Sequence, residues 1–219
     1  WASQLIPPGV TGHSPGFVGN TRYDPEGAKM LLDRFGYVDR NGDGWRDQPD
    51  GKPLVLRKGT SPSALERQYD ELWQRNMAAV GIRIEFLTQK WPDLLKMARQ
   101  GQLQMWQLGN RSTSTEGYGF FGLLYGPNTG LANHARFRFA DYDRRYDESR
   151  KLPDGPARAK LMREMSQIVA AYAPWKINAY RHENVILYPW VQGYRLNVFN
   201  LHPWLYLDID PKTPRKAVQ

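Results

Sequence analysis

The stretch from Pro53 to Phe86, PLVLRKGTSPSALERQYDELWQRNMAAVGIRIEF, decides the fold. Pro53-Leu54-Val55-Leu56-Arg57 is a short apolar run that opens on a proline, which reads as a strand. From Ser63 to Val80, Leu65, Tyr69, Leu72, Trp73, Met77 and Val80 recur at near-helical spacing, and Gly81 stops the helix. Ile82-Arg83-Ile84-Glu85-Phe86 then alternates apolar and charged residues, as a half-buried strand does. Strand, helix and strand in this order make a crossover unit of an α/β layer structure.

The same grammar extends both ways. Upstream, Asp24-Pro25-Glu26 opens a helix, with Asp24 as N-cap and Pro25 at the first helical position. Ala28, Leu31, Leu32 and Phe35 form its apolar stripe, and Gly36 ends it. Residues 1–22, rich in Gly, Pro and Ser, read as an irregular connector. Downstream come a short helix over Pro92–Arg99, a strand over Leu103–Leu108 and a long polar stretch. Aromatic and small residues fill Tyr118–Gly130. A helix pair, Ala140–Leu152 and Pro156–Ala173, is joined by Pro153-Asp154-Gly155. Strands are expected at Trp175–Tyr180 and Asn184–Leu187. The fold class is therefore α/β, a mixed sheet flanked by helices.

Composition removes several functions. The 219 residues contain no cysteine, so disulfides, thiolate metal sites and thiol nucleophiles are excluded. Thirty Lys and Arg against 22 Asp and Glu leave +8. Yet the basic residues are scattered, and where Arg144, Arg145, Arg150 and Lys151 cluster, Asp141, Asp143, Asp147 and Glu148 interleave. A nucleic-acid footprint needs concentrated charge, so no nucleic-acid partner is expected. No apolar run approaches the roughly 20 residues of a membrane-spanning helix. The four histidines are far apart and form no HxH or HExxH pattern. Ser61 and Ser63 lack a nucleophile-elbow context, and no glycine-rich phosphate loop follows a strand. The sequence does not read as an enzyme.

The sharpest local motif runs from Asp39 to Asp50. Asp39, Asn41, Asp43, Asp47 and Asp50 place side-chain oxygens at loop positions one, three, five, nine and twelve, with Gly44 at six. Trp45 would add a backbone carbonyl, so a structural calcium ion is one reading. Asp50 replaces the usual Glu, Pro49 precedes it, and a strand rather than a helix follows. An ion-free Asp/Asn/Gly turn is the other reading. No cofactor is required by either.

Ordered along the chain, these words resemble the C-terminal lobe of the peptide/nickel-type extracellular solute-binding proteins. Ile6-Pro7-Pro8-Gly9 looks like the segment that enters this lobe from the hinge. Tyr23-Asp24-Pro25-Glu26-Gly27-Ala28-Lys29 with Leu31-Leu32 and Gly36-Tyr37 looks like the family's first helix. Asp50-Gly51-Lys52-Pro53-Leu54, the turn Val80-Gly81-Ile82 and the helix from Phe139 to Tyr146 follow in the expected order. The resemblance covers roughly residues 5 to 185. It implies a periplasmic-binding-protein-like lobe: 1–22 a hinge-proximal connector, 23–200 the ligand-binding lobe, 201–219 a tail returning toward a missing N-terminal lobe. It further implies a periplasmic or extracytoplasmic component of an ABC importer that passes its solute to a membrane permease. The solute would be an oligopeptide or another small polar molecule.

Within that resemblance, ligand contacts are expected after the Leu103–Leu108 strand. The peptide-binding relatives carry there a Trp and an Asp that pairs with the peptide's amino terminus. Here Asn110 stands in place of the Trp, Thr113 falls near the Asp position, and Glu116 is the only nearby acid. Arg111, with Asn110, Ser112 and Thr113, can cradle a carboxylate or a polyhydroxylated ligand, because guanidinium offers a fork of donors. Trp106, Tyr118, Phe120, Phe121 and Tyr125 can stack on a sugar or aromatic ring or pack in the core. The candidate ligand set is Trp106, Asn110, Arg111, Thr113, Glu116 and Tyr118. With eight Trp and twelve Tyr, a carbohydrate-binding domain stays open as an alternative, as does a calcium-stabilised structural domain.

Overall fold

The computed structural model describes residues 2–19, 22–111, 115–180, 184–195 and 203–213. Helix α1 (Pro25–Arg34) starts where expected: Asp24 accepts the Gly27 N–H at 2.9 Å and Pro25 occupies the first turn. Strand β1 (Val55–Thr60) leads to α2 (Ala64–Ala78), which Ser63 caps by accepting the Glu66 N–H at 3.1 Å. Strand β2 (Arg83–Thr88), helix α3 (Trp91–Gln100) and the two-residue strand β3 (Met105–Trp106) follow. Helix α3 closes on Gly101, whose φ of 74° is the left-handed cap that glycine adopts without strain. β1 lies between β2 and β3, parallel to both, with Val55 opposite Arg83 and Lys58 opposite Met105. This is the expected crossover unit.

The second half is helical. A short α4 (Tyr118–Gly122) precedes the pair α5 (Ala140–Lys151) and α6 (Pro156–Tyr172). The main core forms here. Tyr142 and Tyr146 from α5, Met162, Met165 and Val169 from α6, and Phe120, Phe121 and Leu124 pack with Leu5, Ile6 and Val10. The residues read as a connector are irregular, yet three of them are core. The Tyr142 hydroxyl, fully buried, donates to the Phe121 carbonyl at 2.8 Å, so its burial leaves no orphaned polar group.

Three expectations change. Trp175–Tyr180 and Asn184–Leu187 form no strands; Ala2 N–H donates to the Asn178 carbonyl at 3.3 Å, and the Tyr180 hydroxyl contacts the carbonyls of Gln4 and Ile6. The neighbouring chain turns Leu5 and Ile6 into the core, so it offers no straight edge for a ladder. Antiparallel pairing occurs instead in a separate two-stranded sheet, β4 (Val191–Gln192) with β5 (Asp208–Ile209), rather than within one mixed sheet.

The third change is the rotation of α2. The expected stripe splits: Leu65, Tyr69 and Leu72 are 56%, 38% and 45% exposed, while Trp73 and Met77 stay turned inward and Glu66 and Asp70 join them. The cause is Lys58 on β1. Its side chain is 2% exposed, with its ammonium 2.7 Å from Asp70, 4.0 Å from Glu66 and 5.8 Å from the Phe86 ring centre. A buried ammonium is tolerated only with carboxylates beside it, so the helix presents its acids to the sheet. Lys58→Met is expected to lower stability by about 3 kcal/mol in urea denaturation, because it strands Asp70 and Glu66. Adding Asp70→Leu should recover part of that loss. An unchanged midpoint for the single variant would contradict the pairing.

Candidate functional site

Strands β1, β2 and β3 are parallel and end on one side of the sheet, at Thr60, Thr88 and Trp106. Open α/β sheets take ligands beyond the carboxyl ends of their strands, so the chain leaving β3 is the candidate site. Trp106 is half-buried, and its ring centre lies 5.9 Å from that of His134. Burial, and secondarily the charge of Arg99, lowers the His134 imidazole below its ordinary range. Asn110 and Arg111 follow as exposed polar residues. Thr113 lies outside the described residues.

The returning chain is fastened from two directions. Thr11 N–H donates to the Thr115 carbonyl at 2.8 Å, and Gly117 N–H donates to the Thr11 carbonyl at 2.9 Å, which pairs Thr11 with Glu116 in a parallel bridge. Close approach makes position 117 a glycine: a Cβ there would sit 2.3 Å from the Thr11 oxygen and 3.1 Å from Ile6. From the other side, Arg158 Nη2 donates to Glu116 Oε2 at 3.3 Å, and the guanidinium lies 5.4 Å from the Tyr118 ring centre. Arg158 Nη1 donates to Asp154 at 2.7 Å, so the fork is fixed within the start of α6.

Of the candidate residues, Trp106 therefore ends β3 and Asn110 and Arg111 follow it, while Glu116 and Tyr118 are gathered by Arg158. Sequence reasoning missed Arg158. Its signal was phase: Arg158, Met162, Met165, Ser166 and Val169 are the buried residues of α6, so the arginine sits in register with an apolar stripe. Three of the aromatics left open between ligand stacking and core packing are engaged within the fold. Phe120 and Phe121 are 8% and 0% exposed and pack in the core. Tyr125 is occupied too, its hydroxyl donating to Asp147 at 2.9 Å and its ring 4.5 Å from Tyr146.

The Asp39–Asp50 loop is built by its own hydrogen bonds. Asp39 accepts the N–H groups of Gly42 and Gly44 at 2.7 and 2.8 Å, and these, Gly44 foremost, hold its carboxyl below the usual range. Asn41 accepts from Asp43 N–H and Asp43 from Trp45 N–H, both at 2.9 Å. Asp43 also pairs with Arg83 at 2.7 Å, and the Trp45 ring lies 5.4 Å from that guanidinium. Asp47 accepts the Arg40 N–H, and Asp50 pairs with Lys52 at 2.7 Å, which lowers the Asp50 carboxyl. Each of these side chains thus has a partner in or beside the loop. Among the described residues no three His, Cys, Asp or Glu side chains gather as a metal centre would require.

Residues 2–131 match the family described as bacterial extracellular solute-binding proteins, family 5 Middle. The chain belongs to that family. Over 194 residues, this family 5 chain is 30% identical to heme-binding protein A of Haemophilus influenzae, covering 87% of itself and 34% of that protein. Over 212 residues it is 24% identical to the dipeptide-binding protein of Escherichia coli, covering 95% of itself and 38% of its relative. Its fold matches the ABC transporter-associated periplasmic binding protein of Helicobacter pylori solved in complex with the peptide STSA. The TM-score is 0.81 at 18% identity, over 95% of this chain and 39% of that one. The family 5 chain therefore spans 34% to 38% of the length of these two curated relatives. These matches are to binding proteins, not to enzymes. Among the described residues no helix is long and apolar enough to cross a membrane.

Two measurements check the site's construction. Gly117→Ala should cost about 2 kcal/mol by forcing the Thr11 strand away, read as a lower melting midpoint; a midpoint equal to the parent's would contradict the close approach. The His134 imidazole should titrate below the ordinary 6.5 in an NMR series. Folding then favours the neutral ring, so stability contributed there is present above 6.5 and falls as pH drops through the folded midpoint. His134→Asn should blunt that part of the acid sensitivity, and a midpoint above 6.5 would contradict the burial.

Proposed function

We propose that this chain supplies one wall of the solute site in an extracytoplasmic binding protein, which delivers a short peptide or comparably polar small solute to an ABC importer's membrane permease. The carrying observation is that Trp106 ends β3, with Asn110 and Arg111 exposed on the chain that leaves it, in a member of family 5. Trp106 offers an aromatic face, Arg111 and Asn110 offer donors for a carboxylate or peptide carbonyls, and Glu116, five residues further along the chain, supplies a carboxylate. The role is binding without turnover. The peptide class is supported by the similarity to the dipeptide-binding protein of Escherichia coli and to the Helicobacter pylori protein solved with the peptide STSA.

The second wall belongs, in this proposal, to polypeptide outside the present chain, since the matched part is only 34% and 38% of the two curated relatives. The C-terminal segments support that arrangement. Tyr188 and Trp190 stack at 4.4 Å, and Ile186, Trp204 and Leu205 are 93%, 73% and 90% exposed. Apolar surface so displayed gains by contact with a partner surface, and we assign that contact to the remainder of the same protein.

Calorimetry on the full-length protein with trialanine tests the function; saturable binding at one site is the expected result. The present chain alone should bind at least about tenfold more weakly, because half the ligand's surface stays in water. Hemin serves as the second probe: a Soret shift with no response to trialanine would move the assignment to the cargo named for the Haemophilus influenzae relative. The Asp39–Asp50 loop, in the same proposal, needs no ion. Melting with chelator and with added calcium should then agree, whereas a midpoint raised by calcium would show an ion bound by the folded state.

A further inference from the structure

Arg158 is the one buried charge of α6 whose partners all lie outside the rest of its helix's inward face. The residue is 7% exposed, in a stripe otherwise made by Met162, Met165, Ser166 and Val169. Taking a guanidinium out of water costs several kcal/mol, and a methionine or leucine would complete the stripe without that cost. Its Nε is buried with no hydrogen-bond partner, so packing has not been arranged around the arginine for its own sake. What the arginine does is reach. Asp154, four residues back, takes Nη1 at 2.7 Å and orients the fork, which directs Nη2 to Glu116, 42 residues away in sequence. The Tyr118 ring lies 5.4 Å from the same guanidinium.

The chain at 115–118 thus has two kinds of anchor. Thr11 holds its backbone through the N–H of Gly117 and the carbonyl of Thr115. Arg158 holds its side chains, one on each side of Gly117. A backbone anchor sets the path of the chain. It does not set where a carboxylate and an aromatic ring point.

We infer that Arg158 is the positioning residue of this solute site: from α6 it fixes Glu116 and Tyr118, and so sets the face that the returning chain presents to solute. This rests on the solute-binding function proposed above. Arg158 itself touches no solute in this arrangement; it acts through Glu116 and Tyr118. The bond between them is charge-assisted and partly shielded from water, which makes it strong enough to matter and specific to the fork of an arginine.

The test uses the full-length protein with trialanine as probe. Arg158→Gln should raise Kd at least about tenfold, the loss expected when a shielded charge-assisted hydrogen bond is removed. It should also speed amide exchange at Glu116, Gly117 and Tyr118. Glu116→Gln, which also removes the carboxylate offered to solute, should lose at least as much affinity, and the double variant no more than Glu116→Gln alone, because Arg158 acts through the group already lost. Arg158→Lys, which keeps the charge and loses the fork, should recover part of the affinity. Glu116 is partly exposed, so Glu116→Gln still reports on the pair where an Arg158 variant fails to fold. Parent-like affinity together with parent-like exchange in Glu116→Gln overturns the inference, as does a fully additive double variant. A parent protein that takes up no trialanine instead defeats the peptide assignment. Exchange alone then decides: faster exchange in Glu116→Gln upholds the positioning role, and unchanged exchange overturns it.

Discussion

The sheet half of the molecule is organised around one buried ammonium. Lys58 stands on the central strand, almost without solvent, and Asp70 and Glu66 come to it from α2. Once that charge is inside, the rotation of the helix is no longer free: its acids must face the sheet. The apolar residues that a periodicity argument places inward, Leu65 and Leu72, are then left outward. The helix thus keeps Trp73 and Met77 of its predicted stripe inward and adds the two acids that pair with Lys58.

A similar logic separates what was legible from what was not. The β1–α2–β2 unit and the α5–α6 pair were readable because caps, glycine stops and periodicity all act within a few residues of chain. Asp24, Ser63 and Gly101 carry their information locally. The strands expected over 175–180 and 184–187 did not form, since a strand is a relation to a partner edge, and no composition rule reports whether that edge exists. The family words pointed to the chain that follows β3, with Trp106 in the strand and Asn110 and Arg111 after it. They gave nothing about Arg158, whose partners lie 4 and 42 residues away. Long-range side-chain pairing leaves only a faint mark in a single sequence, here one arginine in the phase of an apolar stripe. The Asp39–Asp50 loop shows the opposite case. Its spacing fits an ion-binding loop and equally fits a series of turns in which carboxylates accept backbone N–H groups, and spacing alone could not separate the two.

The two halves meet the proposed solute in different ways. The sheet contributes position, since three parallel strands ending together define a rim. The helical half contributes restraint, through Thr11 from the opening segment and Arg158 from α6. A site assembled from both combines a rigid rim with a chain held at its far end, which is the arrangement a precise binding surface needs. The opening segment has a double role here: Leu5, Ile6 and Val10 fill the core while Thr11, next in line, pairs with the returning chain.

The outermost strand carries a further consequence. β2 has a neighbour on one side only, so among the described residues one row of its peptide groups is open to recruitment. Arg83 and Glu85 alternate along it with Ile84 and Phe86, and Arg83 is further tied to Asp43 while Glu85 pairs with Arg57. Each of these charges would have to give up its counter-ion or its water before a second β2 could lie alongside in register. The alternation that identifies this strand in the sequence is thus also its guard against self-templating, and a variant that made both positions aliphatic would trade a soluble margin for a seed of fibrillar association.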